Sequence, residues 1–233
     1  MIVITGATGA LNGATVEHLL TLVPASSIGV SVRDVGKAAH FADRGVRVRP
    51  GSYEDPAALR DSFEGADQVL LVSSNDPAAD QIPLHRAAIE AAVDAGASRI
   101  LYTSHQHVSP SSPFPPARDH FATEELLAAS GVAWTSLRNG FYAHTLDWLL
   151  GPWRTTGVIA APADGPVSWT SRADQAEAEA VVLAARPFDG PVTLTARAAV
   201  TFDDIAETGP VLADLLGREP RTVADLLAHR SIA

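Results

Sequence analysis

The chain has no cysteine among its 233 residues. That excludes disulfides, thiolate metal sites and a cysteine nucleophile. Lysine is almost as scarce. It occurs once, at Lys37, so a lysine general base is excluded everywhere else. Positive charge is short overall: 17 Lys and Arg stand against 27 Asp and Glu, a net charge of −10. A protein that tracks nucleic-acid phosphates needs a basic face, so no nucleic-acid partner is expected. A small anionic cofactor asks for only one or two local cations, and the charge balance allows that. Long apolar runs are missing too, so no membrane span is read. The N-terminus lacks a basic stretch followed by an apolar core, so the expectation is a soluble, cytoplasmic protein.

Apolar residues are plentiful, at 46% against 19% charged. That supports a sizeable core in one domain, or one domain with a small appendage. Short apolar runs alternate with helical patterns. Ile2-Val3-Ile4 reads as a buried strand, and Val16, Leu19, Leu20 and Val23 give helical spacing to 11–23. Further strands are read at 28–32, 46–48, 69–72, 99–103 and 132–137. Asp55-Pro56 starts a short helix with Leu59 and Phe63 facing inward. Helices are also read at 84–95, closed by Gly96, and at 122–129. Strands separated by helices build βαβ units. The expected fold class is therefore α/β, a Rossmann-type doubly wound parallel sheet with ligand sites at the carboxyl ends of strands.

After Gly140 the pattern loosens. Trp148, Gly151-Pro152 and Trp153 end a helix, 158–159 and 192–194 read as short strands, and 174–185 as a helix. Thr201–Asp204 and Thr222–Asp225 have the form of capping boxes. Residues 141–233 are read as a small C-terminal substrate lobe packed on the domain 1–140. The Pro-rich stretch S-P-S-S-P-F-P-P, 109–116, reads as a loop beside the ligand crevice.

The first strand runs into TGATGALNG, Thr5 to Gly13. Between a strand and a helix, such a loop holds a pyrophosphate on the helix N-terminus. Gly6 permits the tight turn and Gly9 lets backbone approach the phosphates. The third glycine of the pattern, which serves helix–strand packing, falls one place late: position 12 is Asn and the glycine is Gly13. Binding is expected to survive. The second strand ends at Arg33, with Lys37 four residues on. Two cations there suit a 2′-phosphate, so NADPH is favoured over NADH. Asp34, between them, could oppose that phosphate.

TGATGAL, V-R-D-x-x-K-A, Y-T-S at 102–104, H-x-x-T-E at 120–124, L-R-N-G-F-Y at 137–142 and S-R-A-D at 171–174 occur in that order. Together they resemble the NmrA-like group of atypical short-chain dehydrogenase/reductases, and within it the NADPH:quinone oxidoreductase and triphenylmethane reductase branch. The resemblance implies that Gly6, Thr8, Gly9, Ala10 and Leu11 line the pyrophosphate. It implies Arg33 and Lys37 at the 2′-phosphate and Tyr53 near the adenine. Ser73 and Ser74 would lie along the ribose, and Thr103 and Ser104 near the nicotinamide. Asn139, Gly140, Phe141 and Tyr142 would form the wall where cofactor and substrate meet. The chain departs from the group at Asn12, at Ser52 in place of an Asp, and in a shorter C-terminal part, so the substrate pocket is expected to be more open, or closed by the Pro-rich loop or by another subunit.

Most short-chain dehydrogenases use Tyr-x-x-x-Lys, in which the lysine lowers the tyrosine pKa. With Lys37 as the only lysine, this chain cannot. An acceptor that takes hydride without strong protonation remains open to it, and a quinone is one, since water can protonate the resulting phenolate. The expected function is transfer of hydride from NADPH to a quinone-like or conjugated aromatic acceptor, with Tyr142, His120 and Asn139 as candidate catalytic residues. Two other readings stay open: a ketone or imine reductase with Tyr142 or His120 as acid, and a non-catalytic NAD(P)-binding redox sensor acting through a protein partner. His105, His107 and His120 lack the carboxylates of a zinc site, so no metal is expected. Trp148, Trp153 and Trp169 are read as packing. Exposed edges of the short lobe make a homodimer a hypothesis.

Overall fold

The computed structural model describes residues 1–74, 79–156, 158, 165–185, 188–202 and 204. Seven strands form one sheet: β1 (Ile2–Thr5), β2 (Ile28–Val32), β3 (Arg47–Pro50), β4 (Gln68–Leu71), β5 (Arg99–His105), β6 (Ala133–Asn139) and β7 (Gly190–Leu194). The helices are α1 (Ala10–Leu22), α2 (Ala39–Ala42), α3 (Pro56–Ser62), α4 (Gln81–Asp94), α5 (Pro115–Ala129), α6 (Leu146–Leu149), α7 (Trp153–Thr156) and α8 (Arg172–Ala185). The strand order is β3-β2-β1-β4-β5-β6-β7. β1 lies parallel to β2 and β4, with Ile4 opposite Val30 and Leu70, and β2–β3 and β4–β5 are parallel as well. The order reverses at β1, between β2 and β4, which is where a doubly wound sheet opens its crevice.

Every residue of β1 and β2 is buried, the near-continuous apolar pattern of parallel strands covered on both faces. Val3, Leu59, Phe63, Val69, Ala88, Ala92, Ile100 and Leu127 share one core on this sheet. Asp55 caps α3 by accepting from the Ala58 amide at 3.1 Å, and Pro56 takes the first turn, as the sequence predicts.

The elements depart from expectation in three places. α5 starts at Pro115 rather than at 122, so Pro115 and Pro116 form its first turn and only the earlier part of the Pro-rich stretch is loop. Proline lacks an N–H but needs none at a helix start. After Gly140 the chain makes two one-turn helices, α6 and α7, broken at Gly151, whose φ of +55° ends helical geometry. The chain also divides differently. One compact unit comprises Met1–Arg138 with Ala176–Thr193, and the other comprises Asn139–Gln175 with the residues from Leu194 on. Most of α8 and β7 thus belong to the first unit, because β7 extends the sheet.

In the second unit, Trp169 packs with Leu146, Leu150 and Val200. Trp148 does not pack: it is 81% exposed. Thr201 and Asp204 form the reciprocal capping box, with each backbone amide donating to the other's side chain. Of the strand read at 158–159, Val158 is exposed and outside any strand; Ile159, the capping box at 222–225 and the Trp153 side chain lie outside the described residues.

Candidate functional site: a dinucleotide crevice

The loop between β1 and α1 turns at Gly6, whose φ is +65°. A side chain there would be strained, and its Cβ would stand 2.6 Å from Val72 Cγ1. The Gly9 amide donates to the Gly6 carbonyl at 2.9 Å and closes the turn. Gly9 is then the N-cap of α1, with no side chain capping the helix and no acid in its first turn. The amides of Ala10, Leu11 and Asn12 therefore lack both an intrahelical acceptor and a side-chain cap. Thr8, Gly9 and Ala10 are exposed. The geometry is that of an anion site: oriented N–H groups at the positive end of a helix dipole.

Asn12 does not disturb it. Asn12 is buried, and its Nδ2 donates to the Thr5 carbonyl at 2.8 Å. The side chain thus ties α1 to the end of β1, the contact for which a glycine would provide only proximity. The close approach moves to Gly13, where a Cβ would meet the Ala7 carbonyl at 2.9 Å. The glycine one place late is the packing glycine of this loop.

Arg33 and Lys37 are both exposed, just after β2. Asp34 turns back on its own loop, its Oδ1 accepting from the Gly36 amide at 3.0 Å as the cap of the 3-10 turn Val35–Ala38. Among the described residues neither Arg33 nor Lys37 makes an ion pair, whereas Arg44, Arg49, Arg60, Arg99 and Arg138 each have a carboxylate. Two cations without counterions, beside an open helix N-terminus, suit a phosphorylated dinucleotide.

The remaining predicted residues carry a different kind of order. The Tyr53 hydroxyl donates to the Val72 carbonyl at 2.8 Å and lies 2.8 Å from Thr5 Oγ1, which accepts from the Val72 amide. It pins the ends of β1 and β4 together, and burial raises its pKa. Thr103 Oγ1 accepts from the Ser73 amide at 2.8 Å. Ser104 Oγ donates to Glu124 Oε1 at 2.8 Å. Both side chains are buried.

Glu124 also accepts from Ser136 Oγ at 2.6 Å and from Arg138 Nε at 3.0 Å. Burial pushes its carboxyl up, but the hydrogen bonds from Arg138, Ser136 and Ser104 and the charge of Arg138 outweigh it and hold the pKa below the ordinary value. Three sequence motifs thus meet at one carboxylate: Y-T-S on β5, H-x-x-T-E on α5 and L-R-N on β6.

His120 Nδ1 lies 2.8 Å from the Tyr102 hydroxyl, and its ring stacks at 6.2 Å on His105. Burial pushes the His120 imidazole down to about 3, with His105 and His85 adding to the effect. At neutral pH it is uncharged. His85, which sequence reasoning passed over, lies buried on α4 between the Ser74 amide and Thr123. A histidine inside an Ala-rich helical stretch gives no signal of its own. Only the fold shows what it touches.

In the second unit Asn139 is buried, and the Gly140 amide donates to the Leu194 carbonyl at 3.0 Å. The Tyr142 ring lies 5.1 Å under the Arg172 guanidinium and stacks at 5.3 Å on His144. Tyr142 and the S-R-A-D arginine are therefore neighbours. Among the described residues no cluster of three His, Cys, Asp or Glu could hold a metal, and no helix is long and apolar enough to cross a membrane.

A parallel sheet with its reversal at β1, a glycine turn and an open helix N-terminus define a dinucleotide-binding domain of the Rossmann type. A family model described as NAD(P)H-binding matches residues 6–186, and the chain belongs to that family. It is 41% identical over 185 residues to quinone oxidoreductase 2 of Escherichia coli, which covers 79% of this chain and 64% of that protein. The chain thus spans less than two thirds of that relative's length. Among solved structures, triphenylmethane reductase of Citrobacter sp. complexed with NADP(H) is 34% identical, with a TM-score of 0.80 over 93% of this chain and 77% of that one. The NADPH-dependent quinone oxidoreductase of Escherichia coli, complexed with NADPH, gives 34% identity and a TM-score of 0.80 over 98% of this chain and 87% of that one.

Proposed function

We propose that the chain is an NADPH-dependent oxidoreductase acting on a quinone-like or other conjugated aromatic acceptor. The observation that carries the reading is the uncapped N-terminus of α1 beside Arg33 and Lys37, two cations that have no counterion among the described residues. The open amides of Ala10, Leu11 and Asn12 suit a pyrophosphate, and the two cations suit a 2′-phosphate. The relatives support the acceptor: one is named a quinone oxidoreductase and another a reductase of triphenylmethane.

Bound NADPH would supply the hydride. The chain's own part is binding and orientation, which alone can supply much of the acceleration of a two-substrate transfer. No Tyr-Lys dyad is present to supply a proton, because the one lysine is Lys37. His120 is uncharged at neutral pH and holds no imidazolium proton to give. A quinone needs neither group, since the phenolate left by hydride addition takes its proton from water. That same point weighs against a ketone or imine reductase with His120 as acid. Tyr142 stays a candidate at the acceptor, and a homodimer remains part of the proposal.

Calorimetric titration of the purified protein with NADPH and with NADH tests the reading. Tight binding of NADPH with weak binding of NADH is expected, followed by NADPH consumption with a simple naphthoquinone. Binding without turnover of any quinone would leave a nucleotide sensor. No heat with either nucleotide would overturn the reading.

A further inference from the structure

The segment that leaves β4 at Ser73 and Ser74 is held by two buried side chains. The Ser73 amide donates to Thr103 Oγ1 at 2.8 Å and the Ser74 amide to His85 Nε2 at 3.0 Å. An amide can only donate, so His85 Nε2 carries the lone pair and Nδ1 carries the proton. That proton goes to Thr123 Oγ1, 2.8 Å away, and the Thr123 hydroxyl donates in turn to the Asp119 carbonyl at 2.8 Å. Every group in this relay has one direction available to it, and the direction fixes the tautomer. His85 is 3% exposed and packs edge-on to Tyr102 at 5.4 Å, so it touches no ligand itself. Both amides are thus spent inside the protein. Both residues are partly exposed, and among the described residues no partner engages either hydroxyl.

We propose that His85 is a positioning residue for the nucleotide. Held by Thr123, it fixes the Ser74 backbone so that the Ser73 and Ser74 hydroxyls face the ribose of a bound dinucleotide. The proposal rests on the dinucleotide reading above and adds to it a residue outside the crevice. The role requires a neutral ring with an acceptor at Nε2. Burial pushes the imidazole down to about 4, so the ring is neutral at physiological pH. Phenylalanine fills the same space without accepting. Glutamine offers an amide oxygen that accepts and an amide nitrogen that donates, in the same order as the ring.

The test is the NADPH affinity of wild type, His85→Phe and His85→Gln at neutral pH, with thermal unfolding recorded for each. The expected result is a loss of about tenfold in His85→Phe, the scale of one hydrogen bond, and recovery to within about threefold of wild type in His85→Gln. Equal affinity in wild type and His85→Phe overturns the proposal. So does equal weakness in both variants while they unfold cooperatively, since that makes the ring's shape the cause. Should His85→Phe fail to fold, Thr123→Val removes the anchor and leaves the imidazole in place. Unchanged affinity in that variant also overturns the proposal. Absence of binding by wild type is a different failure, that of the dinucleotide reading itself.

Discussion

At the carboxyl ends of β1 and β2 the polar groups stand open. Thr8, Gly9, Ala10, Arg33 and Lys37 are exposed, and α1 begins without a cap. At the ends of β4 and β5 the polar side chains are turned inward. Thr103 serves the Ser73 amide, Ser104 serves Glu124, and His85 serves the Ser74 amide. One region keeps its hydrogen-bonding capacity for a ligand, and the other spends it on shape. The same residue types, Ser, Thr and His, read alike in a sequence but do different work according to whether a partner stands behind them. In the second region, residues that a motif search picks as ligand contacts are in good part internal scaffolding, because a buried polar group needs a partner.

The largest effect is expected at Glu124. Glu124→Ala would leave the half-buried Arg138 guanidinium and the Ser104 and Ser136 hydroxyls without their acceptor. A loss of about 3–5 kcal/mol in unfolding free energy is expected, read by urea titration. A loss within a few tenths would show that this region is not held together as described.

The next effect is a pH dependence. His85 has a folded value of about 4 against the ordinary 6.5. Between these values the unfolded chain binds more protons than the folded one. The contribution is therefore whole above about pH 6.5 and is lost as pH falls toward 4, roughly 3 kcal/mol in all. The difference between wild type and His85→Gln isolates it from other groups: the wild type should lose stability relative to the variant on acidification. A constant difference across that range would remove the buried neutral imidazole from the account.

The open region is tested by binding rather than by folding. Arg33→Ala should weaken NADPH by about tenfold or more and leave NADH within about twofold, with the unfolding midpoint unchanged. Equal losses for both nucleotides would place Arg33 away from the 2′-phosphate.

The smallest effect is expected at Asn12. Asn12→Gly restores the usual loop but removes the hydrogen bond to the Thr5 carbonyl and adds backbone freedom in a helix. About 1–2 kcal/mol of stability should go, with NADPH affinity within about threefold of wild type. A large gain in affinity would mean that Asn12 holds α1 away from its proper place.

Much of this was legible in the residues. Continuous apolar strands, the Asp55-Pro56 helix start and the glycine turn at Gly6 depend on neighbours close in sequence, and all three are found as expected. The helix start at Pro115 is not legible in the same way, because two prolines in a row read as a loop even where a first helical turn accepts them. Trp148, a core residue by type, is exposed. His85 carries no signal in the sequence, and Glu124 appears there only as the end of a motif, since their partners lie on other elements.

The class of fold, the phosphate loop and the absence of a Tyr-Lys dyad are read from the residues alone. Each follows from local order or from a count, and needs no knowledge of what packs where. It takes the folded structure to show that Asn12 reaches the Thr5 carbonyl and that Gly13 takes over the close approach. The folded structure alone brings three motifs to Glu124 and, among the described residues, leaves Arg33 and Lys37 without counterions. These facts depend on distances between separate elements, and a hydrogen bond or a missing partner exists only once the backbone has brought two elements within a few ångströms.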